Sequence, residues 1–301
     1  MAKRRTGRDV HGILLFNKPV GISSNAALQR VKRLFQARKA GHTGSLDNLA
    51  SGLLPICLGE ATKLSGFLLE ADKHYRATFT LGVTTTTGDA IGEILQTRPI
   101  DNIDRKRIDE VIQSFIGPLQ QVPPMHSAIK HQGQALYKLA RQGKVVERQA
   151  RPVMIYALTV QSFVENGLSV EVDCSKGTYI RTLAEDIGEA LGCGAHVSAL
   201  HRFGVGDYRD MLDFETLEQH AEQGLEALDN LLAPMHTVLS HWPYVKLTAE
   251  LTYYVQQGQA VQVPRAPTSG RVKLFADDDR FLGIGQVLDD GRIAPRRLVN
   301  L

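Results

Sequence analysis

The stretch VMIYALTVQSFVENGLSVEVDC, residues 153–174, decides the fold class. Val153 to Val164 and Leu168 to Cys174 read as strands, and the Asn166-Gly167 pair between them suits the positive φ of a tight hairpin turn. An antiparallel pair follows. A further strand lies upstream, where Tyr75, Ala77, Phe79, Leu81 and Val83 face one way and Arg76, Thr78 and Thr80 the other. Helical spacing appears in three places. Ser23 or Ser24 can cap a helix whose apolar stripe is Leu28, Val31, Leu34 and Phe35. Ile108, Val111, Ile112 and Phe115 mark a second, ended by Gly117-Pro118, and Ile180, Leu183, Ala184, Ile187 and Leu191 a third, closed by Gly192 as a left-handed cap. Helices and strands alternate, yet hairpin signals outweigh β-α-β ones. The expected class is α+β, a mixed, mainly antiparallel sheet flanked by helices.

The ends of the chain have a different texture. Residues 1–10 carry Lys3, Arg4, Arg5 and Arg8 with almost nothing apolar, which predicts a flexible basic arm, with order beginning near His11. Glu215, Glu218, Glu222, Glu226 and Asp229 among leucines predict one acidic amphipathic helix within 210–235. Past Trp242-Pro243, short strand candidates (Val272 to Phe275, Phe281 to Val287, Arg292 onward) alternate with turn residues. The expected division is a main domain over 11–245 and a small β-rich module over 246–301.

Charge narrows the partner. The first forty-three positions hold ten Lys or Arg against Asp9 alone, although the whole chain has a net charge of only +3. A second cationic segment, Lys130 to Arg151, has six basic residues against Glu147. Both point to a phosphate-rich partner. No run of eighteen apolar residues exists, so neither membrane span nor signal peptide is expected. Cys57, Cys174 and Cys193 are widely spaced, without a C-x-x-C pair, and no H-E-x-x-H occurs. Neither a disulfide framework nor a metal site is suggested, and a cytoplasmic setting fits.

Two segments can carry chemistry. Asp47 follows Gly41-His42-Thr43-Gly44-Ser45-Leu46 and precedes Gly52-Leu53-Leu54-Pro55, where three glycines permit a sharp loop and close approach of a bulky ligand to the backbone. A carboxylate there can serve as nucleophile or base; equally, it can be the Asx residue of a turn. His42 can displace a base or simply complete the loop. Ser175 to Arg181 closes a strand and opens a helix, where backbone N–H groups and two cations can meet an anion or Asp47.

In order and spacing, Lys18-Pro19-x-Gly21-x-Ser23-Ser24, Gly41 to Pro55, Asp72 to Tyr75, Thr87 to Ala90, Pro123 to Lys130 and Ser175 to Arg181 resemble the bacterial tRNA pseudouridine synthase B family. The last module resembles that family's C-terminal PUA domain. The resemblance implies the pseudouridine synthase fold and isomerisation of uridine at tRNA position 55, in the T loop, to pseudouridine. It implies that Asp47 is the catalytic aspartate, Tyr75 the active-site tyrosine, Arg181 the arginine paired with Asp47, Leu200 the apolar wall of the base pocket, Tyr179 a second aromatic near the flipped nucleotide, and His42 the side chain that fills the space vacated by the target base. Lys18 and Lys130, in the first and fifth motifs, are further substrate-binding candidates. Asn48 stands where proline commonly follows the aspartate, and His126 where Tyr or Phe is common. Losing proline restores an N–H and loosens φ, so other contacts must fix this loop. The implied partner is tRNA, gripped at the T arm and, through the PUA-like module, toward the acceptor stem. No cofactor is expected, because isomerisation exchanges no electrons or groups. The alternatives are a non-catalytic RNA-binding or tRNA-folding protein and a synthase acting on another RNA.

Overall fold

The computed structural model describes residues 7–300. Its centre is a mixed sheet of eight strands, seven running in the order Gly12–Lys18, Ala50–Leu58, Ala195–Val205, Lys73–Leu81, Gly167–Cys174, Arg151–Val164 and Gly117–Gln121, with Ala40–His42 paired to Ala50–Leu58. All neighbours are antiparallel except Ala50–Leu58 and Ala195–Val205, which run parallel where Leu200, His201 and Arg202 face Ala50, Ser51 and Gly52. The α+β expectation holds, with Lys73, Tyr75, Ala77, Phe79 and Leu81 alternating inward along a central strand. That strand stops before Val83, because the chain turns at Gly82 (φ 85°) and Val83–Thr85 pairs instead with Ile94–Thr97.

The 153–174 hairpin forms as expected, with a different turn. Val164 pairs with Gly167, so Glu165 and Asn166 are the two turn residues, and it is Glu165 that takes positive φ (55°). Gly167 is drawn into the strand because its other side faces Thr80.

Ser23 caps the Ser24–Leu34 helix, its hydroxyl accepting from the Ala26 N–H, and Gly192 closes the Ile180–Leu191 helix at φ 88°. Val31 and Phe35 from the first, and Leu183 and Ile187 from the last, are buried in the main core. The acidic segment breaks at Gly224 (φ 114°) into two short helices, Phe214–Glu222 and Leu225–Asp229. Gly224 stops the single helix that charge spacing predicts.

The C-terminal unit is a four-stranded sheet, Tyr244–Leu247, Arg271–Ala276, Phe281–Val287 and Ile293–Leu298, with its own apolar core. It also contains a helix that the sequence reading missed, Ala249–Gln256, capped by Thr248. Phe281, Ile284 and Val299 pack with Leu64, Leu68, Met235 and Leu239 in a second cluster shared with the main domain. Residues 1–6 of the expected basic arm lie outside the described residues. Arg8, by contrast, donates to both Asp229 carboxylate oxygens and, through Nε, to the Phe35 carbonyl, so the fold engages the chain ahead of His11. Among the described residues, no helix is long and apolar enough to cross a membrane.

Candidate active site

Tyr75, Leu200 and Arg202 come together on adjacent central strands, with Tyr75 opposite Arg202 and Leu200 opposite Ala77. They line a cavity of about 450 Å³ together with Asp47, His42, Tyr179, Arg181 and His126. This volume is within the range of ligand pockets. Gly52 makes the strand junction possible. A Cβ there would lie 2.2 Å from the Arg202 carbonyl oxygen, and φ is 104°. Its lack of a side chain serves contact between strands, in place of the ligand approach expected from sequence.

Asp47 stands on the loop between the Ala40–His42 and Ala50–Leu58 strands. The buried Ser24 hydroxyl donates to the Leu46 carbonyl (3.0 Å) and accepts from the Leu46 N–H (2.8 Å). Gly21 N–H donates to the Asn48 carbonyl (2.8 Å), and Ala50 N–H to that of Asp47 (3.1 Å). These bonds fix the loop in which Asn48 replaces the proline.

Arg181, in the first turn of the Ile180–Leu191 helix, reaches Asp47 Oδ2 through Nε at 3.0 Å. Its Nη1 donates to the Thr87 carbonyl (3.1 Å) and its Nη2 to that of His126 (2.8 Å). The guanidinium is therefore anchored by three separate loops, and His126 contributes through its main chain whatever its side chain. Burial raises the Asp47 pKa above the usual carboxylate value; Arg181 opposes this, Asp89 adds to it, and Lys18 and His126 pull it down. The carboxylate nonetheless opens into the cavity, with 45% of its side chain exposed against 6% for Arg181.

Tyr179 is fixed at its backbone. The Gln121 amide accepts from the Tyr179 N–H (2.9 Å) and donates to its carbonyl (3.3 Å). Burial raises the Tyr179 and Tyr75 phenols, so both enter as neutral hydroxyls. Burial, with Arg202 nearby, lowers the His42 imidazole pKa and keeps it neutral. A second cavity, of about 390 Å³, shares His42, Asp47, His126 and Arg181 and extends to Asn25, Asp89, Ile91 and Arg141. The two spaces meet at Asp47.

Two candidates lie elsewhere. Lys18 is wholly buried, its ammonium donating to the carbonyls of Pro19 and Ile22 (both 2.8 Å), so it organises the turn beneath the loop and offers no cation to a substrate surface. Burial pulls its pKa down to about 8. Lys130 lies on the short Lys130–His131 strand and lines a separate cavity with Arg148 and Arg151. Among the cations of the first forty-three positions, Arg30 on the Ser24–Leu34 helix is paired with Glu218 and stacked over Phe214, and Arg38 beyond it with Asp9, while Arg33 on the helix and Lys39 after it are exposed without an ion pair among the described residues. The sequence reading missed Ser24 as a loop anchor, Gln121, Lys73 and Arg202. A period-two count along the strand from Leu200 is the one local signal that would have found Arg202. Among the described residues, no three His, Cys, Asp or Glu side chains converge as a metal-ligand group.

A carboxylate at the mouth of an aromatic and aliphatic cavity, with an arginine holding it in place, can in its ionised form attack an electron-poor carbon or remove a proton beside it. The flat walls suit an unstacked base.

Residues 32–180 match the family model described as TruB family pseudouridylate synthase (N terminal domain), 181–240 the tRNA pseudouridylate synthase B C-terminal domain, and 243–299 Pseudouridine synthase II TruB, C-terminal. The chain is 61% identical over 299 residues to tRNA pseudouridine synthase B of Nitrosococcus oceani, covering 99% of this chain and 97% of that one. Identity to the protein of the same name from Coxiella burnetii is 54% over 295 residues, covering 97% and 96%. Among solved structures, a Cbf5-Nop10-Gar1 complex matches with a TM-score of 0.71 at 25% identity, over 92% of this chain and 78% of that one. With three family models spanning the main domain and the C-terminal unit, and relatives this similar over nearly their whole length, the chain belongs to the TruB family of pseudouridine synthases.

Proposed function

We propose that this chain converts uridine 55 in the T loop of tRNA to pseudouridine, with Asp47 as the reacting carboxylate. The observation that carries this is the Asp47–Arg181 pair at the mouth of the cavity, in a chain so similar to proteins named tRNA pseudouridine synthase B. A purely RNA-binding role would leave that partly desolvated pair without a purpose.

The chemistry follows from the product. Uracil N1 must leave C1′ of the ribose, the base must turn, and C5 must bond to C1′ before losing its proton. The uridine has to leave the T-loop stack, at an unstacking cost of roughly a few kcal/mol. Tyr75, Tyr179 and Leu200 supply apolar faces to receive it. Asp47 attacks C1′ or removes the neighbouring C2′ proton, while Arg181 favours its ionised form against the effect of burial and aims it. Tyr75, a neutral hydroxyl beside Arg202, can relay the proton that C5 loses. His42, neutral and at the junction of the two cavities, occupies the place the base vacates.

Exposed cations such as Arg33 and Lys39 position the RNA through phosphate, and the PUA-like C-terminal unit grips toward the acceptor stem. The buried, unpaired cysteines Cys57, Cys174 and Cys193 fit a reducing cytoplasmic setting. The test is incubation with an unmodified tRNA transcript followed by pseudouridine mapping. A single modified site at uridine 55 is expected; modification elsewhere alone would reassign the target, and none at all would remove the proposed activity.

A further inference from the structure

Three cations are buried around the cavity without a carboxylate of their own among the described residues. Arg202 is 1% exposed; its Nε donates to the Leu53 carbonyl (2.8 Å) and its Nη2 to that of Gly44 (2.9 Å). Lys73 is capped by the carbonyls of Leu68, Leu69 and Ala71, and Lys18 by those of Pro19 and Ile22. The one carboxylate facing the cavity, Asp47, is engaged by Arg181. A buried cation satisfied only by dipoles is costly, and the cost is offset when an anion arrives. Of the three, Lys73 is tied to three carbonyls and Lys18 does not line the cavity. Arg202 does line it, with Tyr75 and Leu200, and its Nη1 donates to no carbonyl among the described residues. Nη1 lies 3.5 Å from where a Cβ of Gly44 would stand, on the loop that carries Asp47.

Given the isomerisation proposed above, the reaction makes such an anion. When the C1′–N1 bond breaks, its electron pair stays with the base, leaving an N1-deprotonated uracil whose charge spreads to O2 and O4. This holds whether Asp47 bonds to C1′ or takes the C2′ proton. The ring then gives an electron pair from C5 to C1′ as the Asp47–C1′ bond breaks or, on the elimination route, as Asp47 returns the proton to C2′; C5 loses its proton and N1 regains one, so the sum is an isomer and Asp47 is restored. We propose that Arg202 is a catalytic residue that stabilises the detached uracil anion from the cavity floor, a charge absent from the bound uridine. Preorganised charge of this kind acts on the transition state and costs no reorganisation.

The test compares single-turnover consumption of the N-linked nucleoside in T-arm RNA carrying uridine or 5-fluorouridine at the target. Fluorine withdraws electrons and makes the base a better leaving group, so it should replace part of what Arg202 supplies. Consumption is followed because C5–F has no proton to lose. Arg202→Met should slow uridine by on the order of 10²-fold, and 5-fluorouridine by about a tenth as much. Arg202→Lys, which keeps the charge, should restore the wild-type ratio of the two rates. A merely structural role for Arg202, through the Gly44 and Leu53 carbonyls, would slow both substrates equally. Equal slowing within about two-fold therefore overturns the proposal. Should the Met variant fail to fold, Arg202→Gln, which keeps a donor toward the Gly44 carbonyl, carries the same comparison and the same two outcomes. Wild-type turnover of uridine RNA is scored separately, so failure of the proposed function is distinct from failure of the Arg202 role.

Discussion

Asp47 stands on a loop fixed by a pair of hydrogen bonds with Ser24 and one each from the Gly21 and Ala50 N–H groups, whereas Tyr75, Leu200 and Arg202 stand on strands paired along both edges in the middle of the sheet. The rim holds the carboxylate proposed to react, on a loop tied down at a few points; the floor holds residues that cannot shift without moving the core. The difference separates two kinds of damage. Changes at the rim should cost rate with little stability, and changes that loosen the rim's anchors should cost both.

The largest effect is expected at Asp47. Asp47→Asn keeps the shape and removes the charge, so single-turnover pseudouridine formation should fall by on the order of 10⁴-fold while tRNA affinity, measured by filter binding, stays within a few-fold. Activity near wild type would mean that the rim carboxylate is a turn residue. Arg181→Met comes next, with a loss of roughly 10²- to 10³-fold in rate and a change in its pH dependence. Burial raises the Asp47 pKa and Arg181 pulls it back, so removing Arg181 lets it rise further. The carboxylate then protonates at higher pH, and the acid limb of the rate profile should move upward. An unmoved limb would show that Arg181 does not tune Asp47.

Ser24→Ala tests the anchors. It leaves the buried Leu46 N–H without its partner, which should cost about 1–3 kcal/mol in denaturant unfolding and slow turnover as the loop loosens. A stability loss with unchanged turnover would show that the loop's position does not depend on this hydrogen bond. The smallest effect lies outside the cavity. With Arg33→Gln and Lys39→Gln, removing each cation that meets a phosphate should flatten the log–log salt dependence of tRNA binding by about 0.9, with saturated turnover unchanged. An unaltered slope would place RNA on another face.

The rim was more legible in sequence than the floor. Gly41 to Pro55 stands out by glycine spacing and a lone carboxylate, and Arg181 by its place at a strand-to-helix junction, although only the family resemblance turns these from open alternatives into assigned roles. Arg202 gives only the period-two spacing from Leu200; its place in the cavity depends on strand pairing that brings it opposite Tyr75 and against Gly52, more than a hundred residues away in each case. Lys18 misleads for a related reason. A lysine in a basic N-terminal region reads as a surface cation, and only the turn that folds over it shows the ammonium capped by Pro19 and Ile22 carbonyls. The hairpin itself was legible, but its turn was displaced to Glu165-Asn166 because Gly167 is claimed by pairing with Thr80. The Ala249–Gln256 helix was hidden by its shortness: it buries only Thr252 and Val255, too few positions to show a period among the surrounding strands.

Whether this cavity isomerises a tRNA uridine through Asp47 can be read from tritium release from tRNA labelled at C5 of uridine. Moving the glycosidic bond to C5 must expel that hydrogen to water. Release of one tritium per T-loop target is expected at saturation, absent with Asp47→Asn and absent from a transcript whose uridine 55 is replaced by cytidine. No release from the wild-type protein, or release undiminished by Asp47→Asn, would contradict it.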